Sequence, residues 1–172
     1  MKTVLYALMI VFLLSCTQEK KRPVYYSDDT NLEYQDITLS DKEISIPFRE
    51  ENGVKYIQVE VNGMPLEMIF DTGCSSTLLS LAEANYLYQK GKLAKEDLLG
   101  ISKSQIADGS IVENMVVNLK EIVIDDQIVC PNVTATVSNN LNAPLLLGNE
   151  ILNRLATITI DNDNNKLKFK LK

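Results

Sequence analysis

The residues that could do chemistry centre on Asp71, which ends the apolar run Met68–Phe70 and is followed directly by Thr72 and Gly73. An aspartate in this position can be a turn residue that ends a buried strand, or a carboxylate placed for acid–base catalysis. The chain contains no histidine, which excludes Ser-His-Asp and Cys-His catalysis and the histidine-containing zinc sites. Catalysis would therefore depend on carboxylates, Lys, Tyr, Ser or Cys.

Catalysis by carboxylates alone needs two of them. Two carboxylates about 3 Å apart cannot both ionise, so the pair holds one shared proton over a mildly acidic range. The ionised member can take a proton from a bridging water, while the protonated member polarises the scissile carbonyl group. Gly73 allows close approach of the backbone, so that its amide can donate a hydrogen bond to the Asp71 carboxylate. The sequence has a single Asp-Thr-Gly, at 71–73, and so supplies half of such a pair.

Length and charge limit the classes of function. The chain has 172 residues, with 45% hydrophobic and 23% charged residues, which is the size and composition of one globular domain. Its net charge is −6 and it has no long basic run, which argues against nucleic acid as a partner.

The N-terminal segment is predicted to lie outside the folded domain. Val4–Leu14 is an apolar run after the basic Lys2, and Leu-Leu-Ser-Cys at 13–16 resembles the bacterial lipobox. We predict a lipoprotein signal peptide over 1–15, lipidation of Cys16, a flexible tether over 16–42 and the folded domain over 43–172. Thr17 disfavours retention in an inner membrane, so the expected location is the bacterial cell envelope, lipid-anchored on the periplasmic or outer-membrane side. The alternative is an ordinary signal peptide or a poor membrane anchor.

Two cysteines, Cys74 and Cys130, remain for the folded domain. They could form a disulfide or stay as two free thiols, and the sequence alone leaves both possibilities open. No cationic residue is next to Cys74 in the sequence, which favours a packing role for its side chain over a reactive thiol.

Alternating apolar and polar residues predict a β-rich domain with short helices. A hairpin around Asn62-Gly63 is expected to deliver the chain to Asp71, and Ser80 and Gly91 are expected to bound a helix. The predicted strands are 43–48, 55–61, 64–70, a strand from Ser104 onward, 115–124, 128–137, 145–148, 157–161 and 167–171. The predicted helices are 81–90, 95–99 and 149–155. Together these elements predict a compact, barrel-like β domain.

The ordered set of motifs resembles the retropepsin-like aspartic proteases, in the single-motif form of bacterial lipoproteins. It consists of the strand–turn–strand–Asp-Thr-Gly–Ser-Ser-Thr segment Tyr56–Leu79, the turn Ala107-Asp108-Gly109, and the apolar stretch Leu145–Gly148. The resemblance extends from about Ile44 to Leu171. It implies a mainly β fold, a retropepsin-like closed barrel with hairpins and one or two short helices.

The resemblance also implies a role for each matching residue. Asp71 would be the catalytic carboxylate, Thr72 would bond to its copy in a second chain, and Leu147 and Gly148 would pack under the Asp71 loop. Ala107, Asp108 and Gly109 would form the tip of a flap that closes over substrate, although such a triplet alone is more often an ordinary turn. Ser75 could contact substrate or cap the turn. No metal or organic cofactor is implied.

A two-fold homodimer would supply the missing carboxylate, because it would bring Asp71 and its symmetry copy together. The predicted function is therefore an aspartic endopeptidase acting on proteins or peptides. The alternative is a retropepsin-like fold kept as a binding or scaffolding lipoprotein without turnover. The chain continues past Ile160 into an additional strand, so the dimer contact is expected to differ from that of viral members, which use their chain ends.

Overall fold

The computed structural model describes residues 24–25, 43–105 and 108–171. Among the predicted features, the signal peptide with Cys16, most of the tether and Ala107 lie outside these residues. Val24–Tyr25, inside the predicted tether, pairs as a short parallel strand with Ile128 and Val129. In the described part of the chain, no helix is long and apolar enough to cross a membrane.

Twelve strands and three short helical segments make up the described residues. The strands are β1 (Val24–Tyr25), β2 (Glu43–Pro47), β3 (Arg49–Glu51), β4 (Val54–Val61), β5 (Met64–Phe70), β6 (Thr77–Leu79), β7 (Leu98–Gln105), β8 (Ile111–Ile124), β9 (Ile128–Val137), β10 (Leu146–Leu147), β11 (Leu155–Asp161) and β12 (Lys166–Leu171). The helices are α1 (Leu81–Gln89) and α2 (Asn149–Leu152), with a 3₁₀ turn at Lys95–Asp97.

Six of the strands close into a barrel. Their order is β9-β6-β10-β5-β4-β8, and β8 pairs with β9 to complete the circuit. Alternation along β4 and β5 directs apolar side chains inward, so that Ile57, Val59, Val61 and Met68 are buried in one core. The predicted mainly β fold with a closed barrel is confirmed.

The β4–β5 hairpin that leads to Asp71 is fixed at its turn. Asn62 and Gly63 both have positive φ, +49° and +70°, as a two-residue hairpin turn requires. The side-chain amide of Asn62 donates to the backbone carbonyl oxygen of Lys92 over 2.6 Å. The Lys92 ammonium donates back to the backbone carbonyl oxygen of Asn62 over 3.1 Å. The turn is thereby tied to the segment that follows α1.

Helix α1 begins and ends where the sequence predicts. The Ser80 hydroxyl accepts hydrogen bonds from the amides of Ala82 and Glu83, at 3.0 and 3.3 Å, so Ser80 is the N-cap. Gly91, at φ +66°, ends the helix in the left-handed conformation.

Two helical predictions were wrong in extent. Over 95–99 a 3₁₀ turn covers Lys95–Asp97, and Leu98 already begins β7 because it pairs with Val117 of β8. Helix α2 ends at Leu152, since Leu155 is buried and pairs with Leu171 to start β11. In both places pairing with a distant strand overrides the local helical pattern.

A second, three-stranded sheet lies outside the barrel. Its order is β11-β12-β2, with antiparallel pairing throughout. Among the described residues, β11 pairs on one side only and is therefore an edge strand. Its exposed residues include Ile160, which is 44% exposed.

Candidate active site

Strand β10 holds Asp71 in place through the backbone. The amide of Ile69 donates to the carbonyl oxygen of Leu145 over 2.8 Å, and the amide of Asp71 donates to that of Leu147 over 3.1 Å. Leu147 and Phe70 are buried, whereas Asp71 is partly exposed. Burial of the two strands thus positions a carboxylate that solvent or substrate can reach.

The loop after β5 orients this carboxylate. The Gly73 amide donates to Asp71 Oδ1 over 2.8 Å, which is the hydrogen bond expected from the sequence. Further along the loop, the Cys74 thiol donates to the Ser76 carbonyl oxygen at 3.0 Å. The hydroxyls of Ser76 and Thr136 are 3.0 Å apart and share a hydrogen bond, so the loop is also tied to β9.

Gly148 packs against the same loop with no room for a side chain. A Cβ atom at this position would lie 2.2 Å from the Ser76 carbonyl oxygen and 2.7 Å from the Cys74 carbonyl oxygen. Both distances are far below van der Waals contact, and the opposing atoms belong to the backbone. The Asp71 loop and the start of α2 can therefore approach this closely only with glycine at position 148.

Asn149 holds the loop from two sides. Its backbone amide donates to the Cys74 carbonyl oxygen, and its side-chain amide donates to the Thr72 carbonyl oxygen, each over 2.8 Å. Thr72 and Asn149 are 77 positions apart. Sequence reasoning missed Asn149, and the available signal was a polar amide directly after the Leu-Gly pair that was expected to pack under the loop.

Comparison with known proteins identifies the family. The family model described as “gag-polyprotein putative aspartyl protease” matches residues 57–154, more than half of the chain. The chain belongs to this family. Its matched segment contains Asp71, Gly148 and Asn149, and the predicted resemblance to the retropepsin-like aspartic proteases is confirmed.

Solved structures share the fold of this retropepsin-like family member. A total of 249 chains match, and one is a retropepsin-like aspartic protease from Rickettsia conorii with a TM-score of 0.56 and 24% sequence identity. That match covers 74% of this chain and 89% of the Rickettsia chain. A comparison with curated proteins gave no match.

The retropepsin-like domain has an open cleft of about 450 Å³ at Asp71. Its walls come from the start of β4, the end of β5, β10 and β11. They comprise Gly53, Val54, Lys55, Ile69, Phe70, Asp71, Thr72, Leu146 and Ile160. The cleft is thus lined mainly by apolar residues, and Asp71 and Lys55 are the two residues of its wall with ionisable side chains.

The described residues of the predicted flap tip are not part of the cleft wall. Asp108 and Gly109, in the turn between β7 and β8, are both exposed and do not belong to that wall. The Asp108 carboxylate accepts a hydrogen bond from the Ser110 amide over 2.8 Å, and hydrogen bonding by Ser110 lowers the pKa of the Asp108 carboxyl. Ser75 is exposed on the Asp71 loop. Ser75, Asp108 and Gly109 are therefore all outside the set of residues that line the cleft.

The two cysteines of the domain are free thiols. Cys74 is partly exposed on the Asp71 loop, whereas Cys130 is buried in β9. Burial raises the pKa of the Cys130 thiol to about 11, because the interior disfavours the thiolate. The possibility of a disulfide, left open by the sequence, is thus resolved in favour of two thiols. The described residues also contain no cluster of three or more His, Cys, Asp or Glu placed to bind a metal ion.

Proposed function

We propose that the protein is an aspartic endopeptidase that works as a homodimer, with Asp71 of each protomer forming the catalytic pair. The observation that carries this proposal is the Asp71 carboxylate, which is oriented by the Gly73 amide at 2.8 Å and lies at an open, largely apolar cleft. Membership of an aspartyl protease family supports the same chemistry.

The proposed mechanism uses the two carboxylates in opposite protonation states. The ionised Asp71 accepts a proton from the bridging water as the water oxygen forms a bond to the scissile carbonyl carbon. The protonated Asp71 of the second protomer gives its proton to the carbonyl oxygen, which becomes the second hydroxyl of a tetrahedral intermediate. Proton transfer to the amide nitrogen then accompanies cleavage of the C–N bond, and the products are a carboxylic acid and an amine.

The edge of β11 is the proposed contact between protomers. Ile160 on this strand lines the cleft together with Asp71. A second copy that pairs along β11 would lie next to the cleft, where it could contribute its own Asp71. This arrangement extends the outer sheet instead of using the chain ends.

Proteolysis and dimerisation can be tested together. We expect the domain to cleave unfolded polypeptides between about pH 4 and 7, with mass spectrometry locating the cut bonds. The specific activity per protomer should fall on dilution as dimers dissociate. This fall should match the fall in the dimer fraction measured by sedimentation at the same concentrations. Absence of cleavage at concentrations where dimers form would refute the endopeptidase and leave a binding or scaffolding function. Cleavage by a strict monomer would refute the shared pair.

Asn149 is expected to act as a positioning residue for this reaction. Replacing Asn149 with alanine removes the hydrogen bond to Thr72 but no group facing the cleft. We expect kcat to fall by roughly tenfold, KM to change less than about twofold, and the free energy of unfolding to fall by about 1 kcal/mol.

Gln127→Ala is the matched control, because the Gln127 side-chain amide donates to Asp125 and to the Ser45 carbonyl oxygen at the β8–β9 turn, outside the cleft wall and β11. It should alter stability by a similar amount and leave kcat unchanged. Equal kcat values for Asn149→Ala and the wild type would remove Asn149 from the active-site account.

We further propose that lipidation of Cys16 anchors the protein in the bacterial cell envelope, on the periplasmic or outer-membrane side. The lipobox-like residues at 13–16 and the apolar run before them support this proposal. Cys16→Ser is expected to move the protein from the membrane fraction to the soluble fraction, whereas Cys74→Ser should not. Retention of Cys16→Ser in the membrane fraction would contradict a lipid anchor at this residue.

A further inference from the structure

Lys55 is a basic residue in the wall of the cleft that also contains Asp71. Lys55 is in β4, and the next residue, Tyr56, pairs with Ile69 of β5, two positions before Asp71. Among the described residues, Lys55 is the single basic side chain on the cleft wall. Lys55 and Asp71 thus line the same cleft.

Neighbouring residues hold the Lys55 ammonium in place. It is 2.8 Å from Glu50 Oε2 across the β3–β4 pair, and it lies 5.0 Å from the centre of the Phe48 ring. Phe48 is buried and its amide donates to the Asn165 carbonyl oxygen. The cation therefore has a defined position before any ligand arrives, which reduces the entropy lost on binding.

The ion pair with Glu50 is asymmetric in exposure. The Lys55 side chain is 18% exposed and the Glu50 side chain is 43% exposed. Glu50 can move into solvent at little cost because a pair with an exposed member is weak, whereas Lys55 remains on the cleft wall. An ammonium group has three N–H donors, so it can bind a second carboxylate or exchange Glu50 for one.

We propose that Lys55 is a specificity-determining residue that selects peptide substrates carrying an acidic side chain close to the scissile bond. The inference rests on the proposed endopeptidase function. A carboxylate that enters the cleft replaces water and Glu50 around the Lys55 ammonium, in a partly desolvated setting where a charge-assisted hydrogen bond is strong. Two-fold symmetry supplies one Lys55 on each side of the catalytic pair, so the preference applies to both sides of the cleaved bond.

Matched peptides provide the test. Each peptide would contain one cleavable bond and carry Glu, Gln or Lys at one flanking position, with every flanking position tested in turn. The C-terminus would be amidated, so that the chain end adds no carboxylate. We expect kcat/KM of the wild type to be about tenfold higher for the best Glu peptide than for its Gln counterpart. Lys55→Met should abolish this ratio, Lys55→Arg should keep it, and Glu50→Gln should increase it. Lys120→Met, an exposed lysine on β8, is the control and should leave the ratio unchanged.

The outcomes separate this inference from the proposed function. Cleavage with no preference for Glu, or a preference that survives Lys55→Met, would overturn the role of Lys55 and leave the endopeptidase intact. If the wild type cleaves none of the peptides, the endopeptidase fails, and binding of fluorescent Glu and Gln peptides measured by anisotropy decides on Lys55. Equal affinity for the Glu and Gln peptides would then refute the proposed role of Lys55. If Lys55→Met fails to fold, Glu50→Gln gives an independent test of the same role.

Discussion

Asp71→Asn is expected to lower kcat by at least about 10³-fold while the fold and the dimer persist. Asparagine has nearly the same shape, and its Oδ1 can still accept the hydrogen bond from the Gly73 amide that is 2.8 Å long in the wild type. The loss would arise because a pair of amides can neither take a proton from water nor share one. The measurement is steady-state cleavage of a peptide, combined with thermal unfolding and sedimentation of both proteins.

Asp163→Asn is the matched control for this substitution, because Asp163 is exposed in the turn between β11 and β12. Its activity and stability should equal those of the wild type. Comparable activity of Asp71→Asn and the wild type would exclude Asp71 as the catalytic carboxylate. Asp71 would then be a turn residue that ends β5.

Gly148→Ala is expected to lower the free energy of unfolding by roughly 3 kcal/mol and to abolish cleavage. The new Cβ would meet the Ser76 carbonyl oxygen at 2.2 Å and the Cys74 carbonyl oxygen at 2.7 Å. Backbone atoms cannot rotate away as a side chain can, so α2 and the Asp71 loop must separate. That movement would stretch the hydrogen bond from the Asn149 amide to Cys74, which is 2.8 Å long in the wild type. Denaturant unfolding and the cleavage assay provide the two readings.

Gly53→Ala distinguishes a steric clash from backbone strain. Gly53 has φ +77° and open space around the position of a Cβ, so alanine there costs only the strain of the left-handed conformation, about 1 kcal/mol. Gly148 has φ −102°, so its substitution involves the clash alone. If both variants lose the same stability, close packing of Gly148 on the loop is not what fixes the active site.

Local signals in the sequence predicted the elements that depend on neighbouring residues. Alternation on both sides of Asn62-Gly63 predicted the hairpin that leads to Asp71, and Ser80 and Gly91 predicted the ends of α1. Strand β9 has the same limits in the sequence analysis and in the structure. These features form through turn geometry, capping and side-chain period, all of which a short segment specifies.

Contacts between distant segments could not be predicted in the same way. The sequence analysis predicted a short helix over 95–99, but Leu98 pairs with Val117 and becomes strand. The bond from Asn149 to Thr72 joins residues 77 positions apart, and the position of Asn149 directly after Leu147 and Gly148 does not identify Thr72 as its partner. Alternation places Lys55 on the same face of β4 as the buried Ile57 and Val59, whereas its place on the cleft wall depends on the pairing of β4 with β5.

Mixing of subunits tests the central claim, that two copies of Asp71 form one active site. Equal amounts of wild-type and Asp71→Asn chains would be unfolded, combined, refolded and compared with the same total amount of wild-type chain. Random pairing leaves about one quarter of the dimers with two aspartates, so the shared pair predicts about one quarter of the wild-type activity. Activity of about one half, as expected of protomers that each work alone, would contradict it.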